Sequence, residues 1–129
     1  MFKNDDAAHL LLRLGTGILL LFHGIHKIIY GIAFVKGALH AHGLPEWFGY
    51  GVYVGEVIAP LMIILGLYAR AGALIVAFDM LMAISLTTGF FPIVLTQSGA
   101  PMFELPLFYM LASAVIFFAG PGKYSVNRF

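Results

Sequence analysis

Cysteine is absent from the 129 residues. That excludes a disulfide scaffold, thiolate metal ligation and a dithiol relay of the kind that passes electrons from thiols to a quinone. Charge is scarce too. Asp, Glu, Lys and Arg make up 10% of the chain, where soluble globular domains carry roughly 25%. The formal net charge of +1 comes without a basic run or basic–aromatic interleaving, so nucleic acid is not an expected partner. There is no nucleotide or flavin motif, and no second histidine-bearing span to complete a bis-histidine haem site. What is abundant is hydrocarbon: 61% of residues are apolar and the mean hydropathy is +0.97. This composition specifies one integral membrane domain with the lipid bilayer as its solvent.

Four apolar runs are long enough to span: about 8–30, 48–67, 69–91 and 103–119. Backbone in hydrocarbon must satisfy its own hydrogen bonds, and runs this long without period-2 alternation predict helices. The expected fold is all-α, a four-helix membrane bundle. The opening "MFKNDDAAH" is too short and acidic for a signal n-region, so the first run is expected to remain. Between the first two runs, "GIAFVKGALHAHGLPEW" reads as an interfacial segment with Trp47 at headgroup level. "YAR" (68–70) is a tight turn, and the uncharged "PIVLTQSGAP" links the last two spans. With the N-terminus inside, the cytoplasmic side carries Lys3, Arg13, Arg70, Lys123 and Arg128, against Lys27 and Lys36 outside. That bias predicts both termini in the cytoplasm. Gly51 with Gly55 and Ala73 with Ala77 are small-xxx-small pairs, read as packing positions within the chain rather than a dimer seam.

The polar residues inside these runs carry the functional question. On a helical wheel with His23 at zero, His26 lies at about −60°, Lys27 and His9 at about +40°, and Arg13 at about +80°. Thr16 and Tyr30 lie within about 20° of zero, so one arc of roughly 140° collects every notable polar group of the first span. Glu56, Asp79 and Glu104 are the acids of the other spans, and a buried charge in a membrane is a functional-site hypothesis by default. At 1.5 Å per residue, His23, His26, Lys27, Glu56 and Glu104 fall within about 12 Å of the outer surface. Asp79 lies about 18 Å down, within reach of Arg13. Arg70 and Lys123 read as topology anchors. His40 and His42 read as solvated, and His9 as interfacial.

A pocket of this kind suits three ligands. A quinone head group needs a donor at each carbonyl and a nearby proton source, which His, Lys and a protonated carboxyl supply. A divalent metal would accept His23, His26, Glu56 and Glu104, with H-x-x-H placing two imidazoles on one helical face. A proton or small solute would follow the polar stripe.

The residues also carry a resemblance. "RLGTGILLLFHGIHK", then Glu56 in "VGEVIAPLMIILGLYARAGAL", then the ending "GPGKYSVNRF" resemble the DoxX family of small bacterial membrane proteins. The resemblance implies four transmembrane helices and a redox neighbourhood, since relatives look like the membrane subunit of thiosulfate:quinone oxidoreductase. It places Arg13, His23, Lys27, Glu56 and Arg70 at motif positions.

The expectation is therefore a quinone-linked redox subunit of a bacterial inner membrane, with His23, Lys27 and Glu56 as the reacting groups. Arg13, His26, Tyr30, Asp79 and Glu104 complete the binding site. Electrons would come from a redox partner subunit or a soluble substrate, and a homo-oligomer is a further possible assembly. The alternative is a non-enzymatic subunit or carrier that holds a metal ion, a proton or a small solute.

Overall fold

A computed structural model of the chain describes residues 5–86, 95–127 and 129. Five helices are present among them. We label these α1 (Asp5–Tyr30), α2 (Ala33–Ala41), α3 (Glu46–Leu65), α4 (Ala69–Leu86) and α5 (Glu104–Ala119). The only β pairing among the described residues is a single bridge between Leu95 and Pro101. α1, α3 and α4 are long and apolar enough to cross a membrane, whereas α5, with 16 residues, is shorter. The sequence expectation of a third span reaching Phe91 falls partly outside the described residues.

The four longer helices pack in a ring: α1 on α3, α3 on α4, α4 on α5 and α5 back on α1. Their shared core is built from Leu20, Ala59, Ile63, Ala73, Val76, Met80, Tyr109 and Ile116. Lipid tails are as apolar as leucine, so helices in a membrane gain by close approach rather than by burial, and small residues mark the contacts. Ala59, Ala69 and Ala73 are accordingly fully buried. Large apolar side chains point outward instead; Phe22, Ile29, Phe78, Phe108 and Phe118 are each more than 60% exposed. An apolar exterior on apolar helices identifies a multi-pass membrane protein.

α1 opens on Asp5 and Asp6 and closes on Lys27, charges that suit the two ends of the helix dipole. Its buried residues are Arg13, Thr16, Gly17, Leu20 and Gly24. On the same helical wheel they lie between about +20° and +120°. The inward face is thus turned by about 60° from the centre of the polar arc, leaving His23, His26 and Tyr30 exposed. Glycine explains the offset. A Cβ at Gly17 would meet Ile64 and the Pro60 carbonyl, and one at Gly24 would collide with the Glu56 carbonyl. The face without side chains is the one that α3 can approach.

α3 is not a uniform helix. A 3-10 turn (Glu46–Tyr50) leads through Gly51–Tyr53 into a π-helical stretch, Val54–Ile58, before regular α-helix resumes at Ala59. The Ala59 N–H bonds the Val54 carbonyl, five residues back. Pro60 accounts for the wide turn. It carries no N–H for the carbonyl four residues earlier, that of Glu56, and its ring crowds that oxygen. The carbonyl so released is the one that Gly24 packs against.

At one end of the ring the C-terminal segment folds back as a plug. The Val126 and Asn127 N–H groups donate to the Leu65 and Gly66 carbonyls, and Arg70 N–H donates to Phe129. Gly66 (φ +70°) and Tyr68 (φ +47°) turn the chain from α3 into α4 through left-handed backbone. At the opposite end α2, which the sequence suggests only as an interfacial segment, lies as a short helix against the 3-10 turn of α3. The Lys36 ammonium donates to the Tyr50 hydroxyl at 3.1 Å, and this bond holds Lys36 above its ordinary pKa.

Candidate functional site

The site begins with Glu56. Its position in the π-helical stretch turns it inward, and it is 3% exposed. A carboxylate this deep needs a partner. It has one: Lys27 Nζ, in the last turn of α1, lies 2.7 Å from both Oε1 and Oε2. Lys27 itself is 29% exposed along its side chain, whereas Glu56 is 5% exposed, so the pair is open on the lysine side. The Tyr53 hydroxyl donates to the Lys27 carbonyl at 3.4 Å and ties the end of α1 to α3.

Asp79, in the middle of α4, is the third member. It packs against Gly55, where any Cβ would run into the aspartate side chain. It lies within electrostatic reach of Glu56 and Lys27, and its Oδ2 is buried without a hydrogen-bond partner among the described residues. Gly55 of the small-residue pair is therefore an internal packing position, while Gly51 has open space beside it.

These three line a cavity of about 640 Å³. They are its only ionisable lining residues among those described; Phe34, Leu39, Phe48 and Phe78 contribute to walls that are otherwise apolar. Pockets of roughly 300–1,000 Å³ with apolar walls and a few convergent polar groups are typical of small-molecule sites. α2 and the 3-10 turn roof this one, and α4 closes its side.

The structure brings together Lys27, Glu56 and Asp79 from the sequence-derived set and takes the others elsewhere. Arg13 does not reach Asp79. Its guanidinium is buried at the plugged end, where Nη1 and Nη2 donate to the Tyr124 carbonyl at 2.9 and 2.6 Å, and Nη1 to Pro121 at 3.2 Å. Three carbonyl contacts replace the expected carboxylate. His23 is exposed, with its ring edge-on to Tyr109 at 5.8 Å. His26 is exposed beside the Tyr30 ring at 4.5 Å, and Tyr30 itself is 74% exposed. Glu104 is exposed in the first turn of α5. None of these five lines the cavity. The metal set His23, His26, Glu56 and Glu104 is likewise not assembled: among the described residues no three His, Asp or Glu side chains converge in a metal-binding group. His9, expected at the interface, reaches the Gly120 carbonyl through Nδ1 at 3.0 Å. His40 and His42 are exposed, as expected for the connecting segment.

The signals that sequence reasoning passed over are Gly24 and Pro60. One marks where α1 meets α3; the other, four residues after Glu56, marks the wide turn that aims the acid.

A family model for DoxX matches residues 8–89. The chain belongs to the DoxX family. The DoxX match spans α1 to α4 and contains every residue lining the cavity, while α5 and the "GPGKYSVNRF" ending lie beyond it. Searches among curated proteins and among solved structures each found no match.

Proposed function

We propose that the protein binds a quinone, head group inward, in the cavity that Lys27, Glu56 and Asp79 share. The observation that carries this reading is the pairing of a roomy apolar chamber with three ionisable side chains in a membrane helix ring. An isoprenoid tail fits such walls, and a dicarbonyl ring needs hydrogen-bond partners at its edge. Lys27 has three N–H donors. Glu56 accepts two of them, which leaves one for a carbonyl and holds the ammonium in place. Asp79 offers an unpartnered oxygen on the α4 side. A quinone, when bound, supplies a two-electron, two-proton carrier; the residues of this chain bind, orient and handle protons.

On this reading the protein is a redox-associated subunit of a bacterial inner membrane. It is a four-helix bundle with both termini in the cytoplasm and the cavity in the outer half. Electrons come from a partner subunit or a soluble donor. Thermal unfolding in detergent tests the ligand. A short-tailed quinone analogue should raise the melting temperature of the wild type and raise that of Lys27→Met by much less. An analogue that leaves the wild type unmoved would end the quinone reading.

A further inference from the structure

The charge count of the cavity leads beyond its ligand. One ammonium, Lys27, faces two carboxyl groups, Glu56 and Asp79. Were both carboxyls ionised, the cluster would hold a net negative charge inside a helix ring, where an uncompensated charge is costly. The geometry says which carboxyl is balanced. Both oxygens of Glu56 lie 2.7 Å from Lys27 Nζ, the arrangement of a carboxylate that only accepts. Lys27 makes no hydrogen bond to Asp79; the aspartate meets the Glu56 carboxyl instead, a contact between two acids that requires a proton, and its Oδ2 is buried without a hydrogen-bond partner among the described residues.

Among the described residues, the other ionisable groups around the cluster do not supply a second cation. α1 offers only Lys27 to the cavity. α5 offers Tyr109, which lies within electrostatic reach of Glu56 and against the exposed His23 ring. α2 contributes Phe34, Val35, Ala38 and Leu39 to the lining, none of them ionisable. Arg13 is held by carbonyls at the far end.

We infer that the cavity is a proton-binding site, in which Asp79 holds one exchangeable proton next to the Lys27–Glu56 pair. The inference rests on the same cavity as the quinone reading but not on its ligand. It assigns distinct roles to the two acids: Glu56 fixes the lysine, and Asp79 stores the proton that any ligand entering the chamber would meet.

Infrared spectroscopy of quinone-free protein at pH 7 tests this directly. Asp5 and Asp6 are the only other aspartates and both are exposed. Carbon-13 labelling of aspartate therefore isolates Asp79, and the labelled-minus-unlabelled difference cancels lipid ester carbonyls. The wild type should show an aspartate-labelled carboxylic acid band that is lost in Asp79→Asn. Lys27→Met removes the cation that balances Glu56 and should add a second acid band, sensitive to glutamate labelling. Absence of an aspartic acid band in the wild type overturns the proposal, and needs no variant to fold. A wild-type acid band that follows glutamate labelling overturns it as well, because the proton would then sit on Glu56. Loss of quinone-analogue binding with the aspartate band intact would defeat the quinone reading alone.

Discussion

At the scale of single residues, Lys27 and Glu56 depend on each other. Taking one partner out of a buried ion pair strands the other charge, which is worse than removing both. Lys27→Met should therefore unfold more readily than the double variant Lys27→Met/Glu56→Gln. The coupling recovered in a double-mutant cycle should be about 2 kcal/mol or more. Simple additivity of the two substitutions would mean that the carboxylate has another stabilising partner. This pairing is partly legible in the sequence. Three unpaired acids in apolar spans demand cations, and Lys27 is the cation closest in depth to Glu56. What composition and depth do not say is which way each side chain turns. His23 and His26 share depth and arc with Lys27, yet the ring excludes them, because polarity marks the sites of function poorly when glycine decides which face is inside.

At the scale of elements, the contact of α1 with α3 rests on Gly24 lying over the Glu56 carbonyl, for which Pro60 has no N–H to offer. Gly24→Ala places a methyl group into that carbonyl, and overpacking of this kind costs roughly 1–3 kcal/mol. Gly15, on the same helix, faces open space: a Cβ there would meet nothing within 4 Å, so Gly15→Ala should be neutral or stabilise by up to about 1 kcal/mol. Melting temperatures of the two variants should therefore move in different directions. Equal losses would show that α1 tolerates no side chain on either face, contrary to the packing described. Helices are readily legible at this scale, since long apolar runs have no alternative in a membrane. The π-helical stretch is harder to read, because a proline can kink, end or widen a helix and only the surrounding contacts select among these.

At the scale of the whole molecule, the ring has two unlike ends. One is plugged by the C-terminal segment, with Arg13 clasped by its carbonyls; the other carries the cavity under α2. The proposed orientation puts the plug in the cytoplasm and the cavity outside. The lack of cysteine makes this testable, since each introduced thiol is unique. A membrane-impermeant maleimide applied to intact cells should label Ser98→Cys, in the link before α5, and leave Tyr124→Cys unlabelled until the membrane is opened. The opposite pattern would invert the topology and place the chamber on the cytoplasmic side.

The central claim is that a quinone head group lies against Lys27, Glu56 and Asp79, and a photoreactive quinone tests it most directly. After illumination of the protein in lipid, mass spectrometry should find the label on cavity-lining peptides from α2, α3 and α4. Excess unlabelled quinone should compete it away, and Asp79→Asn should reduce it. Label confined to the lipid-facing surface, or scattered labelling that no excess of quinone displaces, would contradict the account.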